Sequence, residues 1–260
     1  MSTMPAWSNA TVSVGGTEIH LTRAGRGKPV ILLHHDIGTP ETASIYDRLA
    51  TRYDVLIPHH PGYGRSPRPD WLRSVRDVAV LYQGLIAQLG ITAPSLVGLG
   101  FGGWIAAEMA TMAPAALHRL ALVGAMGIKP PDGDIFDQAI VNYIEYARTG
   151  FHAAAAFARV YGEEPSTDQL EHWDICREMS FRIAWKPYMY SQTLPHLIRS
   201  VRTETLVVWG DQDRVVPRSA AQVYAAALPH ARLEIIADCG HCVALEQPER
   251  LAALLEPFFA

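Results

Sequence analysis

The stretch that most restricts how this chain folds is Ser95-Leu96-Val97-Gly98-Leu99-Gly100-Phe101-Gly102-Gly103-Trp104, which continues through Ile105 and Ala106 to Ala110. A short apolar run, a glycine-dense turn and a small-residue segment predict a strand, a tight elbow and a helix packed close against a sheet. Glycine serves such an elbow in two ways. It accepts positive φ at the apex, and it lets strand and helix backbones approach without a Cβ between them. The apex residue is Gly100, which has no side chain to offer a reaction.

The rest of the chain supplies a sheet for that elbow. Thr11–Val14 and Ile19–Thr22 alternate about Gly15-Gly16, the signature of a two-residue hairpin at a sheet edge. Pro29–Leu33 and Asp54–Pro58 are buried-strand runs, with a helix expected over about 41–51 between them. Apolar residues Val78, Leu81, Tyr82, Leu85, Ile86 and Leu89 mark one face of a helix that Gly90 is placed to end. Further strands are predicted at 118–125, 205–210 and 233–237, with helices over about 217–228 and 248–259. Residues 127–202 break this rhythm: they are aromatic, helical in pattern and rich in turn residues, with Ser166-Thr167-Asp168-Gln169 as a candidate capping box. The reading is an α/β protein with a mostly parallel sheet. Residues 1–126 and 203–260 form its core, and 127–202 a helical cap inserted after the sixth strand.

At 260 residues one core of this type is expected. A formal charge of -4 and a pI near 6.2 speak against nucleic-acid binding, and no basic stripe or stacking motif argues for it. The absence of a basic-then-apolar leader and of any eighteen-residue apolar run predicts a cytoplasmic protein without a membrane partner. Cys176, Cys239 and Cys242 make no disulfide framework, which fits that compartment.

The elbow resembles the G-x-S-x-G nucleophile elbow of the α/β-hydrolase superfamily at every position but the middle one. Four other segments match in order. Leu33–Gly38 resembles the H-G-x segment of the oxyanion hole. Pro58–Ser66 resembles the D-x-P-G-x-G-x-S turn with His59 in the aspartate's place. Gly210–Pro217 resembles the acid loop, and Cys239–Pro248 the histidine loop. The resemblance covers most of the chain outside residues 127–202. It implies that Asp213 orients His241, with Asp211 as the competing acid, and that the N–H groups of Asp36 and Phe101 face a developing oxyanion. It also implies a substrate cleft under the cap, for which His35, Trp104 and Trp185 are the candidate lining residues, alongside the cap aromatics Trp173, Phe181, Tyr188 and Tyr190.

Two departures bear on the chemistry. Gly100 removes the attacking hydroxyl, a loss that costs serine hydrolases on the order of a million-fold in turnover. Asp36, after His35 in place of the usual glycine, would set a carboxylate against an oxyanion. No metal and no other cofactor is expected. His34-His35 and His59-His60 can each present only one ring to a given pocket if they continue their strands, and no helical H-x-x-x-H occurs. The pair Cys239 and Cys242 lacks a second C-x-x-C.

The leading reading is a hydrolase of a small apolar ester, acyl compound or related molecule. In it His241, oriented by Asp213, activates water in the space vacated at Gly100. A lyase or isomerase using the same histidine, a silent ligand-binding or interaction protein, and a serine-to-glycine variant of an active hydrolase remain open beside it. The expected partner is a small molecule, and the chain is read as a monomer or homodimer.

Overall fold

The computed structural model describes residues 5–40 and 43–260. An antiparallel hairpin, β1 (Ser8–Val14) and β2 (Thr17–Gly25), forms the edge of the sheet. Gly15 and Gly16 turn it with φ of 55° and 82°, the left-handed pair that a two-residue hairpin demands. β3 (Pro29–Leu33), α1 (Ser44–Ala50) and β4 (Asp54–Pro58) follow; Glu41, in the predicted helix start, lies outside the described residues. α2 (Val75–Gln88) begins in a complete capping box: Ser74 Oγ accepts from Asp77 N–H, and the Asp77 carboxylate accepts from Ser74 N–H.

β5 (Ser95–Leu99) leads through Gly100 into α3 (Phe101–Met112), and β6 (Arg119–Val123) follows. Between β6 and the next strand come α4 (Tyr143–Thr149), α5 (Ala154–Tyr161), α6 (Thr167–Ala184), the short α7 (Leu194–Leu197) and a 3₁₀ turn. This region adds no strand to the sheet. Ser166 caps α6 by accepting from Gln169 N–H. β7 (Thr205–Gly210), α8 (Ser219–Ala227), β8 (Ala231–Ile236), α9 (Val243–Glu246) and α10 (Pro248–Phe259) complete the chain.

The eight strands run in the order β1-β2-β4-β3-β5-β6-β7-β8, parallel from β4 to β8. Their apolar runs separate two cores. Ile31, Leu33 and Leu96 pack on the α2–α3 side, and Val30, Leu32 and Val97 on the α1–α10 side. The two faces of each strand thus bury against different helix layers, which is why these strands read as continuous apolar runs. Among the described residues no helix is long and apolar enough to cross a membrane.

The elbow depends on missing side chains. Gly100 sits at φ 52°, ψ -111°, and its N–H donates to Val123 O at 2.9 Å. A Cβ on Gly102 would stand 2.2 Å from the carbonyl oxygen of Leu33, and one on Gly98 2.5 Å from Gly103 Cα. Both contacts are backbone, so no rotamer change relieves them. Gly102→Ala is expected to lower stability by about 3 kcal/mol or more in urea denaturation, whereas Gly15→Asn, in open space at a φ Asn tolerates, stays within about 0.5 kcal/mol. Equal stability of both variants would refute the close-approach account.

Candidate functional site

The loops after β3, β5, β7 and β8 meet at the carboxyl ends of the parallel strands, where open α/β sheets place their sites. His241 and Asp213 come together there: His241 Nδ1 lies 2.9 Å from Asp213 Oδ2, with both side chains buried. Asp213 Oδ1 accepts from the N–H groups of Val215 and Val216, so the carboxylate is fixed from behind. Asp211 is not the partner, because its carboxylate accepts from Cys239 N–H instead. The bond at Nδ1 leaves the other ring nitrogen of His241, Nε2, facing inward, buried and without a hydrogen-bond partner. Burial lowers the affinity of this imidazole for a proton, but Asp213 and then Asp36 outweigh that and leave its pKa above the ordinary value.

Glu246 anchors the histidine loop. Its buried carboxylate accepts from Gly240, His152 and Ala153 N–H, tying the residue before His241 to the start of α5. Gly124, at the end of β6, makes room for the ring: a Cβ there would lie 3.2 Å from His241 Nδ1.

Gly100 lies beneath the two imidazoles of His35 and His241. A Cβ on Gly100 would stand 2.4 Å from His35 Nδ1 and 2.9 Å from His241 Nε2, so the site has no room for a serine side chain while His35 is in place. The His35 ring is 5.1 Å from that of His241, 3% exposed, and neither of its nitrogens has a hydrogen-bond partner. Burial, with His241 and His60 adding to it, holds its pKa well below the ordinary value.

Asp36 is 2% exposed and takes a hydrogen bond of 2.7 Å from Tyr146 Oη on α4. Burial raises its pKa against the opposing pull of His241, Tyr146 and the N–H groups of Asp36 and Ile37. The buried Asp36 carboxylate lies beside the N–H that was expected to face an oxyanion. Phe101 heads α3, where helix N–H groups have no intrahelical partner. Ligand atoms of His35, Asp36 and His241 all lie within 4.8 Å of one another. Of the pair His34-His35 only His35 turns toward His241, as expected, while His34 stacks on His60; Asp36, beyond the last residue of β3, joins His35 there.

The other paired histidines have a different place. His34 Nδ1 lies 2.7 Å from the carbonyl oxygen of His35, and its Nε2 accepts from His60 N–H at 2.9 Å. His60 Nε2 lies 2.9 Å from the carbonyl of His34, and its Nδ1 2.6 Å from Tyr82 Oη. Carbonyls only accept, so His34 carries its proton on Nδ1 and His60 on Nε2. Both rings are neutral, fully bonded and stacked at 3.6 Å, a crosslink between the ends of β3 and β4. His59 accepts from Arg65 N–H.

Trp104 is buried against Phe101, with its Nε1 3.3 Å from Glu108. Trp185 is 44% exposed and packs on Phe181 and Tyr188, so it is not part of the buried cluster. Cys239 and Cys242 are buried thiols whose pKa values burial pushes up, which suits neither for attack. Tyr146 and Glu246 were not singled out by sequence reasoning. Tyr146 lies in no motif, 110 residues from its partner. Glu246 stood inside the histidine-loop match without a role.

Comparison with known proteins places this geometry in context. The family model described as "Alpha/beta hydrolase family" matches residues 30–254. The chain is 28% identical to a 2-hydroxymuconate semialdehyde hydrolase of Pseudomonas putida, over 96% of this chain and 93% of that protein. It is 25% identical to a 2-hydroxy-6-oxo-2,4-heptadienoate hydrolase of Pseudomonas putida strain F1, over 100% and 99% of the two chains. Among solved structures, a mutant of the meta-cleavage product hydrolase of Pseudomonas fluorescens IP01 superimposes with a TM-score of 0.80 at 25% identity, covering 96% and 97%.

The neutral histidines set a pH dependence. Burial holds the pKa of His60 down to about 3 and that of His59 to about 4, against 6.5 for the free side chain. Between those values the unfolded chain takes up protons that the folded chain refuses. Stability is therefore intact above about pH 6.5 and is lost as pH falls toward 3, at up to ~1.4 kcal/mol per pH unit for each histidine. Urea midpoints should drop steadily from pH 7 to pH 5, and a flat profile would contradict the neutral network.

Proposed function

This chain belongs to the alpha/beta hydrolase family, and from that premise we propose that it hydrolyses a small, activated carbonyl compound by direct attack of water, with His241 as general base and Asp213 as its orienting carboxylate. The observation that carries the reading is the 2.9 Å contact between His241 Nδ1 and Asp213, which leaves Nε2 buried and without a partner. The His35 ring fills the position above Gly100 where the sequence reading put the water; with that ring turned aside, a water beside Nε2 gives its proton to Nε2 as its oxygen adds to the carbonyl carbon. The same proton then passes to the departing group as the bond to that carbon breaks.

General-base assistance is worth only ~10² to 10⁴ in rate, so the substrate must bring its own reactivity. The relatives' names denote conjugated hydroxy-oxo acids and a semialdehyde. Such a carbonyl accepts water readily, and the conjugated chain takes up the electron pair when the bond breaks. That class, or an activated ester, suits this site better than an unactivated amide. His35 is the proposed contact for the substrate oxygen, because a carboxylate at Asp36 would repel negative charge developing beside its own N–H. The site residues are 2–3% exposed, so entry of a substrate requires the segment that carries Tyr146 to part from the sheet.

His241→Ala is expected to cut kcat/KM on conjugated hydroxy-oxo dienoates and p-nitrophenyl esters by ~10² or more with the thermal midpoint retained. An unchanged rate sinks the general-base role, and no turnover by the parent protein on any of these substrates favours the silent binding protein.

A second measurement concerns the apex. Gly100→Ser alone should give no gain in ester hydrolysis, since its Cβ would stand 2.4 Å from His35 Nδ1. The double variant Gly100→Ser with His35→Gly should gain at least ~10-fold over either single change, a coupling that adjacent residues sharing one space produce. Full gain from the serine alone would show that His35 does not occupy its place.

A further inference from the structure

We propose that His35 Nδ1, the Asp36 carboxylate and His241 Nε2 form a binding site for one divalent transition-metal ion of the zinc class. One ligand atom from each of the three residues lies within 4.8 Å of the other two in a buried space, close enough that small side-chain adjustments bring them to the 2.0–2.2 Å from zinc that such ligands take. Two imidazoles and a carboxylate are a donor set for zinc, iron or cobalt rather than for magnesium or calcium.

Independent observations point to a ligand there. Both ring nitrogens of His35 and Nε2 of His241 are buried without partners. Leaving such groups unsatisfied costs about 1–3 kcal/mol each, and nearly all buried polar groups find a partner. The orientation is also the one ligation requires. Asp213 accepts from His241 Nδ1 and leaves Nε2 as the free lone pair, while Tyr146 holds one oxygen of Asp36. Outer carboxylates and hydroxyls that fix first-shell ligands in this way accompany metal-bound histidines generally. A divalent cation would balance both carboxylates, Asp36 directly and Asp213 through His241.

The inference also joins three departures from the family's sequence pattern. A serine at the apex would put its Cβ 2.4 Å from His35 Nδ1, so Gly100 leaves the ring its place. His35 supplies a nitrogen where the pattern has glycine. Asp36 supplies an anion where an anion harms an oxyanion hole. Singly each is a loss for acyl transfer, and together with His241 they complete three ligands with a fourth position open, the arrangement of catalytic zinc. An ion there would contribute Lewis acidity and a lowered pKa for coordinated water, and His241 would serve as ligand rather than base. With the ion bound, Nε2 of His241 would be a ligand and not the base, so this inference replaces that step of the proposed hydrolysis, and binding is measured apart from turnover.

The test uses the full chain without a histidine tag, stripped with a chelator and then titrated with Zn²⁺ by calorimetry and with Co²⁺ by visible absorption. The expected result is one ion per chain retained through gel filtration, with cobalt bands of a low-coordinate site. His35→Ala and Asp36→Asn should each weaken binding at least ~10-fold, while Cys239→Ser leaves it unchanged. Gly100→Ala, which crowds His35, should weaken it with the fold intact by circular dichroism. Loss of the ion on gel filtration would overturn the site, as would full binding in both the His35 and the Asp36 variants or binding abolished by Cys239→Ser. Should no ion bind while His241→Ala still abolishes turnover, the metal site falls and the general-base reading stands. Should one ion bind and no carbonyl compound be turned over, the site stands and the hydrolytic reading falls.

Discussion

The contact on which the architecture rests is the approach of α3 to the ends of β3 and β5. Gly98, Gly102 and Gly103 let backbone meet backbone there, and Gly102 N–H donates to the carbonyl oxygen of His34 at 2.9 Å. That bond joins the elbow to the loop that carries His35 and Asp36. Gly100 N–H, bonded to Val123 O, joins it to β6, and the Gly124 that follows makes room for His241. The apex is thus defined by its neighbours' backbones rather than by its own side chain. A glycine there preserves the shape and changes only what the shape presents.

What it presents is set by electrostatics in a nearly dry space. His34 and His60 have every nitrogen bonded and are locked neutral. His35 and His241, a few ångströms away, have three nitrogens with no partner among them. Four histidines in one neighbourhood therefore divide into a structural pair and a pair still able to bind something. The division follows from chain direction. His34 and His60 follow their strands by one or two residues and turn toward each other, whereas His35 lies past the last residue of β3 and turns toward the elbow.

Much of this was legible in the residues. The bounds of β4 and β7 coincide with their predicted runs, each followed by a polar residue, His59 and Asp211, and α10 starts at Pro248, a residue suited to the first turn of a helix. The pairing of Asp213 with His241 follows from loop register. The buried cluster was less legible. Strand periodicity separates His34 from His35 but says nothing of Asp36, which lies beyond the last residue of β3, where alternation no longer holds. Tyr146 reaches Asp36 from a helix whose placement depends on packing rather than on pattern, and Ser74 caps α2 through a box that begins four residues ahead of Val78, the first residue of the apolar face used to find the helix.

The energetics make an inert relic of a hydrolase an unsatisfactory description. Three unpaired buried nitrogens cost on the order of several kcal/mol, a large fraction of the 5–15 kcal/mol that holds a domain together. Apolar side chains of similar volume would remove that cost. Elsewhere among the described residues His118 Nε2, Gln138 Nε2 and Trp173 Nε1 are also buried without a partner, but singly, whereas the network around His34, His60 and Tyr82 is complete. The unpaired nitrogens belong to two rings whose centroids are 5.1 Å apart, one of them oriented by a buried carboxylate, and perturbed, unsatisfied groups of this kind cluster where proteins bind or react. The missing side chain at Gly100 and the His35 ring that takes its place beside His241 are then two aspects of one arrangement.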